Sequence, residues 1–327
     1  MNISFDQLRK ELKKNLLRLS FTESKADLCA GIFAANSRDG VYSHGLNRFP
    51  VFVKHVEKGL IDPQAEPSLI EANAATEIWD GHLAPGMYTA SICMDRAIAL
   101  ARQHGISCVT VRNTNHWMRG GTYGWQAADA GCVGICFTNA IAGMPAWGGQ
   151  QPVLGNNPLV IAVPRREGHV VLDMAMSQYS YGKLQEYELR HEQLPIAGGY
   201  DEQGKLTTNP SVIRKTKRAL PAGYWKGSGL AMLLDILLVA LSGGRSTAAI
   251  TASGDEYAVT QCFICLSRPD LHEPLINEII AYVKSSTPAD AQTPVTYPGE
   301  RTLRTREKNE RDGIPVDEGI WKHVLAL

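Results

Sequence analysis

The chain has 327 residues, enough for one large or two ordinary domains with a sizeable core. Lys+Arg and Asp+Glu balance at 33 each, and no basic arm or aromatic-interleaved basic stripe occurs, so no nucleic acid or anionic lipid surface is expected as a partner. With 44% apolar and 20% charged residues the composition is that of an ordinary soluble globular protein.

The opening MNISFDQLRKELKKNLLRL interrupts every apolar run with lysine or arginine and so does not read as an export signal. Ser4 and Gln7 have capping-box spacing, and Phe5, Leu8, Leu12, Leu16 and Leu19 share one stripe, which predicts an amphipathic helix. A second helix is predicted from about Lys25 to Asn36, with Leu28, Ile32 and Phe33 facing inward; GVYSHGLNRFP, Gly40 to Pro50, follows it. Beyond this helical region the pattern becomes mixed α/β. TASICMDRAIALARQHG reads as a helix stopped by Gly105, and ISCVTVRN as the strand after it. TYGWQAADAG is a short helix ending at Gly131, followed by the strand VGICFTNA. NPLVIAVPR and HVVLDMAMS are strands joined by a hairpin-length turn at Arg166, Glu167 and Gly168.

A helix and the polar, glycine-rich AGGYDEQGKLTTNPS come next, and YWKGSG leads into the apolar run Leu230 to Leu241. At 12 residues, with Asp235 inside, that run is too short to cross a bilayer and is predicted to be a buried helix; no membrane is expected as a partner. A strand at 256–267, a helix around Leu275 to Val283 and a loop marked by Pro288, Pro294 and Pro298 follow. RTLRTREKNERD is predicted to be a solvated helical face, and a last helix begins near Asp317, whose carboxylate suits an N-cap. Seven scattered cysteines without an export signal predict reduced thiols and a cytoplasmic location. Cys262 and Cys265 form a lone C-x-x-C inside a strand-like run; without a second pair they read as small core hydrophobes, and no metal site is expected.

No G-x-G-x-x-G lies between a strand and a helix, so a Rossmann domain is not predicted, and Walker A, H-E-x-x-H and G-x-S-x-G strings are also missing. Polar and aromatic residues gather instead in glycine-rich knots. YSHGLNRF carries His44 and Arg48, and RNTNHWMRGGTYGW carries His116 and Arg119 just beyond a strand end. FTNA and WGGQQPVLGNNP carry Asn139, Gly148, Gly149, Gly155 and Asn157. YWKGSG places Lys226 before two glycines at a helix start, where free N–H groups suit a phosphate or carboxylate; a plain N-terminal turn gives the same letters.

GVYSHGLNRFP, RNTNHWMRGGTYGWQAA, GNNPLVIAVP, LDMAMS and GYWKGSGLAMLLD, in this order, resemble the malate/L-lactate dehydrogenase family that lacks a classical Rossmann domain. The likeness runs to the final GIPVDEGIWKHVLAL, and within the family it is strongest to a reductase of a diketo sugar acid. The resemblance implies a non-Rossmann nucleotide-binding α/β domain with a mixed sheet, plus a helical domain formed by both chain ends. On that basis residues 1–75 form a helical region, 76–285 the nucleotide- and substrate-binding region, and 286–327 a segment that returns to the helical region. It also implies a homodimer that transfers hydride between NAD and a small 2-oxo or 2-hydroxy acid. The resemblance points to NADH, whereas the sequence itself does not separate NADH from NADPH, because the acidic ribose marker belongs to the Rossmann fold. It makes His44 the proton donor and carries cofactor contacts over to His169, Val170, Val171, Leu172, Asp173, Met174 and Ala175, to Trp225 and Lys226, and to Gly299, Glu300 and Arg301. At the last three this chain reads PGERTLRTRE, a composition that departs from the family members it resembles.

Hydride delivery to a ketone builds negative charge on oxygen, and histidine, with an unperturbed pKa of about 6.5, suits the proton donor's role. On the residues alone, His44 as an imidazolium, oriented or charged by Ser43 or Asp173, competes with His116, which is as readily a residue that shapes the pocket or binds substrate hydroxyls. Arg48 and Arg119 are the candidate forks for the substrate carboxylate, Arg48 being equally a surface arginine at a helix end. Asp173 is either a buried partner for a histidine or the nicotinamide, or a structural carboxylate at a strand end. Three classes of function remain. One is this dehydrogenase, one is an enzyme on the same scaffold acting on a simple 2-hydroxy acid or a cyclic imino acid, and one is a non-catalytic protein that keeps a nucleotide pocket. His44, Lys226 and Asp173 argue against the third.

Overall fold

In the computed structural model, which describes residues 1–290 and 293–327, Ser4 caps the first helix, its Oγ accepting the Gln7 N–H at 3.1 Å. β1 (Asn2–Ile3) precedes this helix, α1 (Phe5–Arg18), whose Leu8, Leu12 and Leu16 are fully buried. α2 (Glu23–Arg38) starts on the Thr22 cap and buries Cys29, Ala30, Phe33 and Ala34, while Leu28 and Ile32 pack only part-buried on its flank. Two 3-10 turns, Tyr42–His44 and Leu46–Arg48, then lead into α3 (Phe49–Glu57).

The hairpin of β2 (Ser68–Asn73) and β3 (Thr76–Asp80) is not predicted from sequence. All six residues of β2 are exposed, so the period-two burial that would mark a strand is missing. The sheet therefore begins at Ser68, ahead of residue 76. α4 (Gly86–His104) ends at Gly105, whose φ of +85° is the left-handed conformation glycine adopts freely. β4 (Ile106–Thr114), α5 (Gly121–Asp129) and β5 (Val133–Thr138) follow as predicted. The glycine-rich third knot folds as a ribbon, β6 (Ala142–Pro145) with β7 (Pro152–Gly155), before the predicted antiparallel pair β8 (Leu159–Val163) and β9 (Val170–Met174). Then come α6 (Tyr181–Leu189), the ribbon β10 (Gly199–Tyr200) with β11 (Leu206–Thr207), α7 (Pro210–Thr216), α8 (Trp225–Ser242), α9 (Thr247–Ala252), β12 (Val259–Leu266) and α10 (Glu273–Lys284). Residues 291 and 292, in the proline-marked loop, lie outside the described residues. α11 (Glu300–Asp312), β13 (Ile314–Pro315) and α12 (Glu318–Ala326), capped by Asp317, complete the chain.

The main sheet has the order β2-β3-β4-β12-β5-β8-β9, with β3 and β4 parallel and the other neighbours antiparallel. One face packs on α4 and α5 through Val109, Val111, Phe263, Cys136, Val160 and Val171. The other packs on α6 and α8 through Phe137, Cys262, Leu184, Leu234 and Leu238. Cys262 and Cys265 are fully buried and all seven cysteines are free thiols. A separate helical core joins α1, α2 and α3 to Ile314, Trp321 and Val324 from the other end of the chain, and β1 pairs with β13.

Two expectations need correction. The apolar run at 230–241 is not a buried helix. α8 spans 18 residues, is apolar and long enough to cross a membrane, and exposes Leu230, Met232, Leu233, Ile236, Leu237 and Leu241 while Ala231, Leu234 and Leu238 face the sheet. A helix apolar on all sides needs an apolar neighbour on each, and one folded chain supplies only one. The charged run 301–312 is not solvated throughout, because α11 buries Asn309 and docks Arg306 against α2, as described below.

Candidate active site

His44 ends the first 3-10 turn because the next residue, Gly45, lets the backbone touch α2. A Cβ at Gly45 would lie 2.8 Å from the Ser37 N and closer still to its Oγ. Ser37 Oγ accepts the Leu46 N–H at 2.9 Å, and Asn36 Nδ2 donates to the His44 carbonyl at 3.0 Å while its Oδ1 accepts from Thr122 at 2.9 Å. The turn is thus pinned between α2 and α5. Ser43 Oγ sits 3.0 Å from His44 Nδ1, which orients the ring. Gly182, at the start of α6, presses on this pair, since a Cβ there would fall 2.5 Å from the Ser43 Cβ.

His116 stacks on His44, ring centroids 5.8 Å apart and planes 21° from parallel. The Met118 N–H donates to His116 Nδ1 at 3.0 Å, so the neutral ring carries its proton on Nε2. Burial, followed by the charges of His116, Arg48 and Arg119, pushes His44 down to about 3; burial, then Arg48 and His55, does the same to His116. The imidazolium expected from sequence is therefore not the resting form of His44 near pH 7. Arg48 lines the same cavity with no ion-pair partner among the described residues.

Arg119 is placed differently. Its Nη1 donates to Asp39 Oδ2 at 2.8 Å, and its side chain is 5% exposed. Asp39, at the end of α2, also receives Nε and Nη2 of Arg306 from α11, both at 2.8 Å. Burial works against the Asp39 carboxylate, but Arg306, Arg119 and Arg38 outweigh it and hold its pKa below the usual range. Asp173 accepts the Gly121 N–H at 2.8 Å and lies 3.8 Å from Arg119 Nε. Desolvation against the cavity wall raises its pKa, opposed by Arg119 and that N–H. The chain of contacts runs from the C-terminal helix through Asp39 and Arg119 to Asp173, and commits Arg119 to neighbours inside the protein. Asp39, Asn36, Gly182, Arg306 and Glu256 are site residues the sequence reading does not single out; only Asp39, next to the SHG knot, carries a local hint.

These groups open on one cavity of about 1080 Å³, lined by the 3-10 turns, the His116 loop, the ends of β5, β6 and β9, α6, and residues 254–256. That volume exceeds what a small acid fills and is at the upper end for a cofactor-sized ligand. Of the residues expected at the cofactor, Asp173, Met174, Ala175 and Arg301 line it. Gly299 and Glu300 run beside β9, where the Val171 N–H donates to the Pro298 carbonyl at 2.9 Å; Glu300 itself is paired with Lys284 and Arg304. Val170 and Leu172 are half-buried, and Val171 points into the core. His169 closes the hairpin, Nδ1 accepting the Arg165 N–H and Nε2 bound to Asp129 at 2.9 Å. Trp225 and Lys226 are exposed at the start of α8, beside Ala222, which lines the cavity. A cavity of this size, bordered by the edge strand β9 and lined at one part of its wall by His44 and Arg48, has room for a nicotinamide dinucleotide together with a small acid.

The malate/L-lactate dehydrogenase family model matches residues 3–325. The chain belongs to this family. It is 44% identical to the 2,3-diketo-L-gulonate reductases of Citrobacter koseri and of Haemophilus influenzae, covering all of both chains. The malate dehydrogenase of Entamoeba histolytica superimposes with a TM-score of 0.93 at 26% identity, over 99% of this chain and 96% of that one. As a malate/L-lactate dehydrogenase family member the chain is an oxidoreductase that uses a nicotinamide cofactor on a 2-oxo or 2-hydroxy acid, and the missing Rossmann fingerprint accords with the mixed sheet observed.

Proposed function

We propose that this dehydrogenase reduces 2,3-diketo-L-gulonate to 3-dehydro-L-gulonate with NADH, in the cytoplasm and as a homodimer, with His44 as proton donor. The substrate rests on the full-length 44% identity to reductases of that name. The cavity supports the chemistry. Asp173, Met174, Ala175 and Arg301 line the cavity and would hold a nicotinamide cofactor, which when bound would supply the hydride. Arg48 takes the substrate carboxylate in a bidentate fork. Ser43 holds His44 Nδ1, which leaves Nε2 to hand its proton to the carbonyl oxygen. A carboxylate on Arg48 cancels one of the charges that depress His44, so His44 takes up a proton as substrate binds. The apolar face of α8 is the surface a second copy would cover. The test is oxidation of NADH and of NADPH, followed at 340 nm, against the diketo acid, simple 2-oxo acids and a cyclic imino acid. The reading expects the highest kcat/KM with NADH and the diketo acid; a higher value for any other pair overturns it.

A further inference from the structure

The proposed proton transfer does not use Glu256, yet its carboxylate is built into the wall of the cavity. Its Oε2 accepts the Ile141 N–H at 3.0 Å, which fixes the side chain and leaves Oε1 facing His116 Nε2 across 4.0 Å. The histidine is equally fixed. Met118 N–H occupies its Nδ1, and the preceding Asn115 is tied by its side chain to the Leu83 carbonyl at 2.8 Å and by its own carbonyl to Gln261 at 2.8 Å. An N–H donor and a carboxylate acceptor therefore face each other, both immobilised, at a distance too long for a direct hydrogen bond.

A hydroxyl group can bridge them from the cavity side. Seated off the line that joins them, it accepts from the Nε2–H and donates to Oε1, its two bonds of about 2.8 Å meeting at roughly a right angle. An ether or ketone oxygen has no proton to give Glu256, a carboxylate is repelled by it, and a methylene leaves both protein groups unpaired. The slot opens on the same cavity as His44, whose ring lies against His116, and Arg48, so its occupant belongs to the molecule being reduced.

We infer that His116 and Glu256 form a hydroxyl-binding subsite that selects polyhydroxylated 2-oxo acids and rejects deoxygenated chains and dicarboxylates. This rests on the proposed reduction of a sugar-derived 2-oxo acid at His44 and deepens it by naming what reads the substrate's tail. Glu256 acts here as a specificity residue.

The test compares the wild-type chain with Glu256→Gln, which keeps the side chain's shape and its acceptor for the Ile141 N–H. Four six-carbon acids serve as probes: the diketo acid, 2-oxo-L-gulonate, 2-oxohexanoate without hydroxyls, and 2-oxoadipate with a second carboxylate. The wild type is expected to favour 2-oxo-L-gulonate over 2-oxohexanoate in kcat/KM. Glu256→Gln is expected to raise KM for the hydroxylated acids about tenfold to a hundredfold. Its loss on 2-oxohexanoate is expected to be at least tenfold smaller, and its kcat/KM on 2-oxoadipate to rise. A wild type with no preference between hydroxylated and deoxygenated acids overturns the subsite, as does a variant that loses equally on both or on neither. Failure to reduce the diketo acid alongside a preserved preference for 2-oxo-L-gulonate instead overturns the named substrate and leaves the subsite standing.

Discussion

On the proposed mechanism, His44 and Arg48, four residues apart, divide two tasks that separate kinetic parameters report. Replacing His44 with asparagine removes the proton donor, so kcat is expected to fall by about 10²- to 10⁴-fold while NADH fluorescence still titrates with near wild-type affinity. Replacing Arg48 with methionine removes the carboxylate partner, and KM for the acid is expected to rise about tenfold to a hundredfold with a smaller change in kcat. The pH dependence follows from the depressed His44. With a pKa of about 3 in the substrate-free pocket, the protonated form needed for ketone reduction shrinks tenfold per pH unit across neutrality. kcat/KM for reduction is therefore expected to fall with rising pH between 6 and 9, and kcat/KM for the reverse oxidation, which needs neutral His44, to stay level. A reduction profile that is flat over that range would remove His44 from the role.

At the scale of elements, the site depends on where α2, α5, α11 and β9 meet. Asp39 is the joint, with three guanidinium contacts at 2.8 Å from Arg119 and Arg306 and a side chain 4% exposed. Asp39→Asn leaves three arginines, Arg38, Arg119 and Arg306, facing a neutral amide in a buried setting, a loss of about 3–5 kcal/mol by the usual cost of breaking a buried pair. Urea denaturation measures it, and a shift under about 1 kcal/mol would show that the joint is not what ties α11 to the body. The sequence displays the helices and strands of this region because their apolar periodicity is strong, as in Leu8, Leu12 and Leu16 or in ISCVTVRN. It does not display the joint, since Asp39 and Arg306 are 267 residues apart and each reads locally as a surface charge. β2 escaped for the opposite reason, being a strand with no buried face to impose a pattern.

For the molecule as a whole, two expectations follow from burial. Changing Ile236 and Leu233 on the exposed face of α8 to glutamate should convert the proposed dimer to monomer in sedimentation, with the fold kept by circular dichroism; unchanged sedimentation would place the dimer contact elsewhere. His44 and His116 are held near 3 when folded and return to about 6.5 when unfolded, so the unfolded chain binds more protons between those values. Their contribution to stability is complete above about pH 6.5 and is lost as the pH falls toward 3. The urea midpoint is expected to drop steadily from pH 7 to pH 5, and a constant midpoint would contradict the buried, neutral state of the pair.

By itself the sequence determined the order of most elements and the knots that carry the chemistry, because helix caps, apolar periods and glycine stops are local signals. Through its resemblance it also placed the chain in its family. Tertiary structure decided which of the candidate charges are free to act. Arg48 lines the cavity with no ion-pair partner among the described residues, Arg119 on the same cavity pairs with Asp39, and His116 faces Glu256 at 4.0 Å. An arginine, a histidine or an apolar helix face carries no mark of its partner in its own neighbourhood of the chain, and pairing across more than a hundred residues exists only once the layers have packed.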